Sequence, residues 1–276
     1  MTDNNPFALP RPVQRSHEVS GLHVEEAVPL DDGAFDCPVL MVHGAFHGWW
    51  AYAQWLTWFA TLGVPAYALS VRNHEGSRAL SADEYRRTGI EHYVEDIAAV
   101  LDWIGKPAML VGHSLGGLMV QKAAEDRDVV AVACIGSASP AGVGPTRDFT
   151  WDEDESLMFD RARMRGAMFE EIDDATFESI YSRLVPESTR ALNQSGLAGV
   201  DVDPAKISAP MLFLGTEHDG IGLHPADKLA AFFNAEHMTI PGTSHDVLLE
   251  DSGLRVAAHI LGWACRSAPG FLPRPG

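Results

Sequence analysis

Cysteine is scarce in this 276-residue sequence. The three present, Cys37, Cys134 and Cys265, are odd in number, far apart and in no metal-ligand spacing. That excludes a disulfide framework of the kind small secreted domains rely on. All three are read as free thiols, with Cys37 and Cys134 as small buried hydrophobes within strands. Positive charge is also sparse: 20 Lys and Arg stand against 38 Asp and Glu, a net charge of −18. So acidic a surface repels the phosphates of nucleic acid and the headgroups of an anionic bilayer, so neither is expected as a main partner. Long apolar runs are missing. No stretch approaches the roughly 18 residues that a membrane span needs. Met1 to Val13 lacks the basic segment and apolar core of a secretory leader. The expectation is a cytoplasmic protein without membrane insertion. The 12 histidines show no His-Glu-x-x-His or comparable spacing, so no metal and no cofactor are expected. No sequence signal fixes an oligomeric state.

What is present is a core. Hydrophobic residues make up 46% and charged residues 21%, the balance of a globular chain. Residues 1–16 are Pro-rich and read as irregular. Partial alternation from His17 to Pro29 predicts an edge strand or hairpin. Short apolar runs predict strands at Pro38–Val42, Val64–Val71, Ala108–Val111, Val129–Ile135, Pro210–Leu214 and near His237–Ile240. Helical spacing alternates with them at Trp49–Leu62, Ser81–Ile104, 115–126, Pro225–Phe233 and Ser252–Arg266. Ser81 and Glu84 have the spacing of a capping box. Alternation of this kind predicts an α/β protein, a mostly parallel sheet flanked by helices on both faces.

The alternation breaks once, over 140–200. This insert carries helical stretches at Glu155–Phe169, Asp174–Leu184 and Glu187–Gln194, and its 12 acidic residues and 6 arginines give a net −6. A segment this long between two strands is expected to be functional, as a helical cap or lid over a site. The core domain is then 1–139 together with 201–276. The acidic side chains are expected on the outer face of the cap.

Gly112-His113-Ser114-Leu115-Gly116 falls at a strand-to-helix junction. A sharp turn there leaves no room for flanking side chains, and forces the serine into an exposed, strained position at a helix N-terminus. A serine hydroxyl needs a histidine base, itself oriented by a carboxylate. Asp219 follows the Pro210–Leu214 strand and His245 follows the next one, 105 and 131 residues after Ser114. Ser114, Asp219 and His245 are therefore the expected catalytic set. Glu217 and Asp246 compete for the acid role. Glu217 lies nearer its strand, and Asp246 adjoins the base too closely to turn onto the same imidazole. His259 reads as a helix residue and His237 as a packing residue of a strand. The oxyanion donors are expected to be the N–H groups of Leu115 and Ala45, with Phe46 N–H as runner-up. His43 reads as a brace of that loop, and His47 and His113 as loop or packing residues rather than catalysts. Expected substrate contacts are Phe46, His113, Trp151, Met158 and Phe159.

As a set, Val42-His43-Gly44-Ala45-Phe46-His47-Gly48-Trp49-Trp50, Gly112-His113-Ser114-Leu115-Gly116-Gly117, Gly215-Thr216-Glu217-His218-Asp219 and Ser244-His245-Asp246 resemble the signature of the α/β-hydrolase superfamily. The first loop is similar to that of its esterase and hydroxynitrile-lyase branch. The resemblance covers about 35–265. It implies an eight-stranded sheet with a cap inserted after the sixth strand. Epoxide hydrolases and haloalkane dehalogenases of this fold use an aspartate nucleophile, whereas position 114 is serine. The reading is a serine esterase acting on a small-molecule ester with an apolar acyl or aromatic part. Thioesterase, lactonase, amidase, carbon–carbon hydrolase, perhydrolase and lyase activities share the triad. A slow-turnover ligand receptor is the alternative of another class.

Overall fold

The computed structural model describes residues 12–30, 33–169, 172–197, 199–222 and 225–274. Strands β1 (Val13–Val19) and β2 (Leu22–Val28) form an antiparallel hairpin. Its turn residues Ser20 and Gly21 have φ of 54° and 79°, the left-handed pair that matches the twist of flanking strands. The segment read as irregular up to residue 16 is thus strand from Val13 onward, and residues 1–11 lie outside the described residues.

Alternating elements follow: β3 (Val39–Val42), α1 (Ala53–Thr61), β4 (Ala66–Ser70), α2 (Ala82–Arg86), α3 (Ile90–Ile104), β5 (Ala108–His113), α4 (Leu115–Ala123) and β6 (Val129–Ile135). The insert holds β7 (Ser156–Leu157), α5 (Arg161–Met168), α6 (Asp174–Tyr181), β8 (Glu187–Ser188) and α7 (Thr189–Gly196). The chain returns to the sheet with β9 (Met211–His218), α8 (Ala226–Phe233), β10 (Glu236–Ser244) and α9 (Gly253–Ser267).

Eight strands lie in the order β1-β2-β4-β3-β5-β6-β9-β10. β2 runs antiparallel to β1 and β4, and the other neighbouring pairs are parallel. Every residue of β3 and β5 is buried, as expected of strands covered on both faces. Helix α1 packs against α9, and α3 against α4. From β3 the chain crosses to β4 on one side, and from β5 to β6 on the other. With right-handed crossovers, that reversal opens a crevice at the carboxyl ends of β3 and β5, where α/β sheets bind ligands.

Three predicted helices differ in detail. The single helix expected over Ser81–Ile104 is two. The Ser81–Glu84 capping box starts α2, but α3 starts afresh at Ile90, whose N–H donates to the Gln194 side chain of the insert at 2.7 Å. In the insert, α6 begins at Asp174 as expected, but α5 and α7 begin later than periodicity suggests, because Asp160 accepts from Arg163 N–H and Ser188 from Ala191 N–H as N-caps. Cys134 is buried in β6, whereas Cys37 is buried just before β3 rather than within it. Among the described residues, no helix is long and apolar enough to cross a membrane, and no three His, Cys, Asp or Glu side chains group as metal ligands.

Candidate active site

The site is built at the crevice between β3 and β5. Ser114 follows β5 with φ 54° and ψ −119°, a region where an L-residue with a Cβ is strained. The turn is tight because two backbones touch. A Cβ on Gly116 would lie 2.4 Å from the His43 carbonyl oxygen, and one on Gly44 would lie 2.9 Å from Ser114 Cβ. Only glycine lets the loop after β3 press against the start of α4.

Ser114 Oγ lies 2.9 Å from His245 Nε2, and His245 Nδ1 lies 2.9 Å from Asp219 Oδ2. A carboxylate accepts, so Nδ1 carries the proton and Nε2 is left to receive the serine hydroxyl. The second Asp219 oxygen accepts the N–H groups of Ile221 and Gly222 at 2.9 and 3.3 Å. His113 Nε2–H donates to the His245 carbonyl at 2.9 Å, fixing the loop that carries the base. Burial, then the neighbouring His245, lowers the His113 pKa to about 3, so this ring is neutral. Glu217 is exposed and accepts Gly242 N–H at 2.7 Å, joining the loops of Asp219 and His245. His237 and His259 are exposed; His237 does not pack, because it lies on β10 at the sheet edge.

The loop after β3 is held peptide by peptide. His43 Nδ1–H donates to the Gly44 carbonyl at 2.8 Å, and its Nε2 accepts Val71 N–H at 3.2 Å. Burial, then the charge of His74, drives its pKa well down, which matches this neutral tautomer and the expected bracing role. The next peptide unit is gripped at both ends. His47 Nδ1–H donates to the Ala45 carbonyl at 2.7 Å, and Phe46 N–H donates to Glu187 Oε2 at 3.3 Å. Phe46 is left with φ of 72°, and its carbonyl accepts Val185 N–H at 2.9 Å. Phe46 N–H is therefore committed elsewhere. Ala45 N–H and Leu115 N–H meet no acceptor among the described residues, and both residues line the cavity in front of Ser114.

Two buried acids support this loop. Asp246 Oδ2 stands 3.2 Å from His47 Nε2, an ionic approach that is not aligned as a hydrogen bond. Burial works against both charges, but their attraction prevails, raising the His47 pKa and lowering that of Asp246. Glu187 is 1% exposed and accepts from Tyr93 OH at 2.6 Å, Ser188 N–H at 2.8 Å and Tyr85 OH at 3.2 Å. Its other oxygen meets His74 Nε2 at 3.2 Å, while His74 Nδ1 faces the Arg72 carbonyl at 3.0 Å. Both ring nitrogens of His74 thus face oxygen acceptors. Burial alone would raise the Glu187 pKa; His74 first, then Tyr93 and Ser188, bring it down to about 2. Nothing in the sequence pattern singled out Glu187 or His74.

The cavity in front of Ser114 measures about 340 Å³. Of the expected substrate contacts, Phe46, Trp151 and Phe159 line it. His113 and Met158 do not. His113 is buried beneath the base loop, and Met158 packs against the hydrophobic core. Arg147, Phe149, Arg163 and Ile221 also form the wall, and the sequence reading did not place them there.

Solved structures with the same architecture share little sequence with it. A mutant N-acyl homoserine lactonase crystallised with N-hexanoyl homoserine superposes with a TM-score of 0.71 at 16% identity, over 94% of this chain and 98% of that one. A methylesterase from Arabidopsis gives 0.68 at 16% identity, over 83% and 99%. An esterase from Exiguobacterium antarcticum gives 0.66 at 15% identity, over 91% and 99%. No curated protein is a detectable sequence relative. A family model for the alpha/beta hydrolases matches residues 39–259. With its sheet order, its serine at the strand-to-helix turn and that match, the chain belongs to the alpha/beta hydrolase family.

Proposed function

We propose that this protein is a serine hydrolase that cleaves a carboxylic ester through an acyl-enzyme on Ser114. Family membership and esterase-like structural neighbours support hydrolysis. The observation that carries the finer reading is the unbroken line Ser114 Oγ–His245 Nε2, His245 Nδ1–Asp219 Oδ2, each step 2.9 Å. Ser114 Oγ adds to the ester carbonyl while His245 takes its proton. Asp219 holds the imidazole and stabilises its cation. The developing oxyanion meets the N–H groups of Ala45 and Leu115, fixed in place before the reaction begins. Collapse expels the alcohol, which takes the proton back from His245. Water then adds to the acyl group, with His245 again as base, and Ser114 is released. Residues 140–200 act as a cap on the core domain, since Trp151, Phe159 and Met168 of this segment wall the cavity.

A fluorophosphonate probe should label the wild type at Ser114, found by peptide mass spectrometry, and leave Ser114→Ala unlabelled. Ester turnover should fall by several orders of magnitude in Ser114→Ala and His245→Ala. Near-normal turnover in Ser114→Ala would remove the assignment. Labelling with turnover no faster than hours per event would favour a receptor.

A further inference from the structure

The insert contains six arginines. Four have an acid partner: Arg161 with Glu178, Arg165 with Asp174, Arg183 with Glu75 and Arg190 with Glu91. Arg147 and Arg163 have none among the described residues, and these two line the cavity in front of Ser114. Among the described residues, no Asp or Glu lines it with them. In a chain of net charge −18, this is an uncommon place to leave two cations uncompensated.

Each guanidinium lies over aromatic rings. Arg163 Cζ lies 4.1 Å from the Phe159 ring centre and 5.4 Å from that of Trp151. Arg147 Cζ lies 5.6 Å from Trp151 and 5.4 Å from Phe149. A cation placed over a ring keeps N–H groups with which an arginine can meet an anion in bidentate fashion. Trp151, touched by both arginines, is itself fixed: its N–H and carbonyl bond the Asn193 side chain at 2.9 and 3.0 Å. Arg147 donates to the Leu192 carbonyl, and its Nε is buried without an acceptor among the described residues. Space for it comes from Gly196, where a Cβ would fall 2.2 Å from that Nε. Two arginines without an acid partner among the described residues, on the wall of the cavity in front of Ser114, are cations that an anionic ligand would complete.

We propose that the substrate is an anionic ester, carrying a carboxylate that Arg147 and Arg163 receive while its apolar body lies against Trp151, Phe159 and Phe46. This rests on the ester-hydrolase reading for the scissile bond and adds the charge of the group at the other end. It also adds to the expectation that the acids of the insert face outward: among its described residues no acid reaches the cavity wall, and the charges that do are positive. In an acidic protein two local cations offset the long-range repulsion of such a substrate.

Two pairs of isosteric probes test it, with the carboxylate on either side of the ester. Monophenyl glutarate is set against phenyl pentanoate, and 4-carboxyphenyl acetate against 4-methylphenyl acetate. Binding is measured by calorimetry on Ser114→Ala, which needs no chemistry, and kcat/KM on the wild type. At least one carboxylate probe should bind Ser114→Ala tenfold or more tightly than its neutral partner. That ratio should collapse towards one in Arg147→Met and in Arg163→Met, the second being at an exposed position where loss of fold is no explanation. It should also shrink in 0.5 M NaCl. Equal binding within both pairs overturns the anionic substrate even if neutral esters turn over rapidly. Selective binding without turnover of any ester upholds the arginine site and removes the hydrolase reading instead.

Discussion

Glu187 accepts the backbone N–H of Phe46 at 3.3 Å across 141 residues of chain. The same peptide unit offers its carbonyl, that of Ala45, to His47 at 2.7 Å. A peptide held by an acid at its N–H and an imidazole at its C=O cannot rotate without breaking both bonds. These bonds fix the peptide next to the Ala45 N–H, the donor proposed for the oxyanion. The insert thus does more than supply part of the cavity wall, since its buried acid holds the loop that is proposed to receive the oxyanion.

Glu187→Gln keeps the shape of this group and removes its charge. The variant should fold with a lowered Tm, because the buried His74 and Phe46 N–H lose their ionic partner. Breaking a buried pair costs about 3–5 kcal/mol when one partner is deleted outright, so Glu187→Ala should cost more than Glu187→Gln. On esters, kcat should fall about 10- to 100-fold in Glu187→Gln with little change in KM, as for loss of a transition-state contact. An unchanged kcat in a folded Glu187→Gln would show that the loop keeps its shape without the carboxylate.

Stability should depend on pH through the same buried groups. His113 has a depressed folded pKa, so its neutral form contributes stability above its unfolded value of about 6.5, and this is lost as pH falls towards about 3. Glu187, depressed to about 2, contributes above its unfolded value of about 4.3 and loses that below it. His47 has the opposite sign: its pKa is raised, so its contribution is full below about 6.5 and fades as pH rises through the folded value. Tm measured from pH 3 to 9 should fall on both sides. Glu187→Gln should flatten the acid limb below pH 4.5, and His47→Gln the alkaline one. An alkaline limb identical in His47→Gln would remove the ion pair with Asp246 as its source.

Gly44→Ala tests the close approach of the two loops. The added Cβ would meet Ser114 Cβ at 2.9 Å and His113 Nδ1 at 3.0 Å. These atoms belong to the strained turn after β5 and to a ring bonded to the His245 carbonyl, so the chain yields by moving the loop after β3 outward. The variant should retain its fold by circular dichroism, label slowly with fluorophosphonate and lose ester turnover by about 100-fold or more, the scale of losing an oxyanion donor. Wild-type labelling in Gly44→Ala would mean the loop has slack that the geometry does not show.

The residues that were legible in the sequence are those whose geometry is local. Gly112 to Gly117 sets one sharp turn, and its glycines are forced by contacts within a few residues or with the adjacent loop. Asp219 and His245 were legible from order alone, each following a strand end. The sheet emerged from apolar runs, since β3, β5 and β6 are buried throughout nearly their whole length. What escaped depends on chain segments far apart. The break between α2 and α3 is completed by Gln194, and Glu187 draws its partners from Phe46, His74, Tyr85 and Tyr93. Arg147 and Arg163 carry no periodic signal, and in an insert of net −6 a count of charges gave no sign of which ones face inward.

The strain at Ser114 supplies the last test. At φ 54° and ψ −119° a residue with a Cβ costs about 1–3 kcal/mol, whereas glycine adopts such angles freely. Ser114→Gly and Ser114→Ala both remove the hydroxyl, so neither should hydrolyse esters. They differ in that alanine keeps the strained Cβ. Glycine loosens the unfolded chain by about 0.4–1 kcal/mol, which subtracts from the relief. Ser114→Gly should still melt above Ser114→Ala, by about 2–4 °C for each net kcal/mol in a chain somewhat shorter than this one and less here. The order of the two Tm values, read by calorimetry at one pH, decides the matter. If Ser114→Gly melts lower, the turn stores no strain, and the position of the serine owes nothing to a stability sacrificed for reactivity.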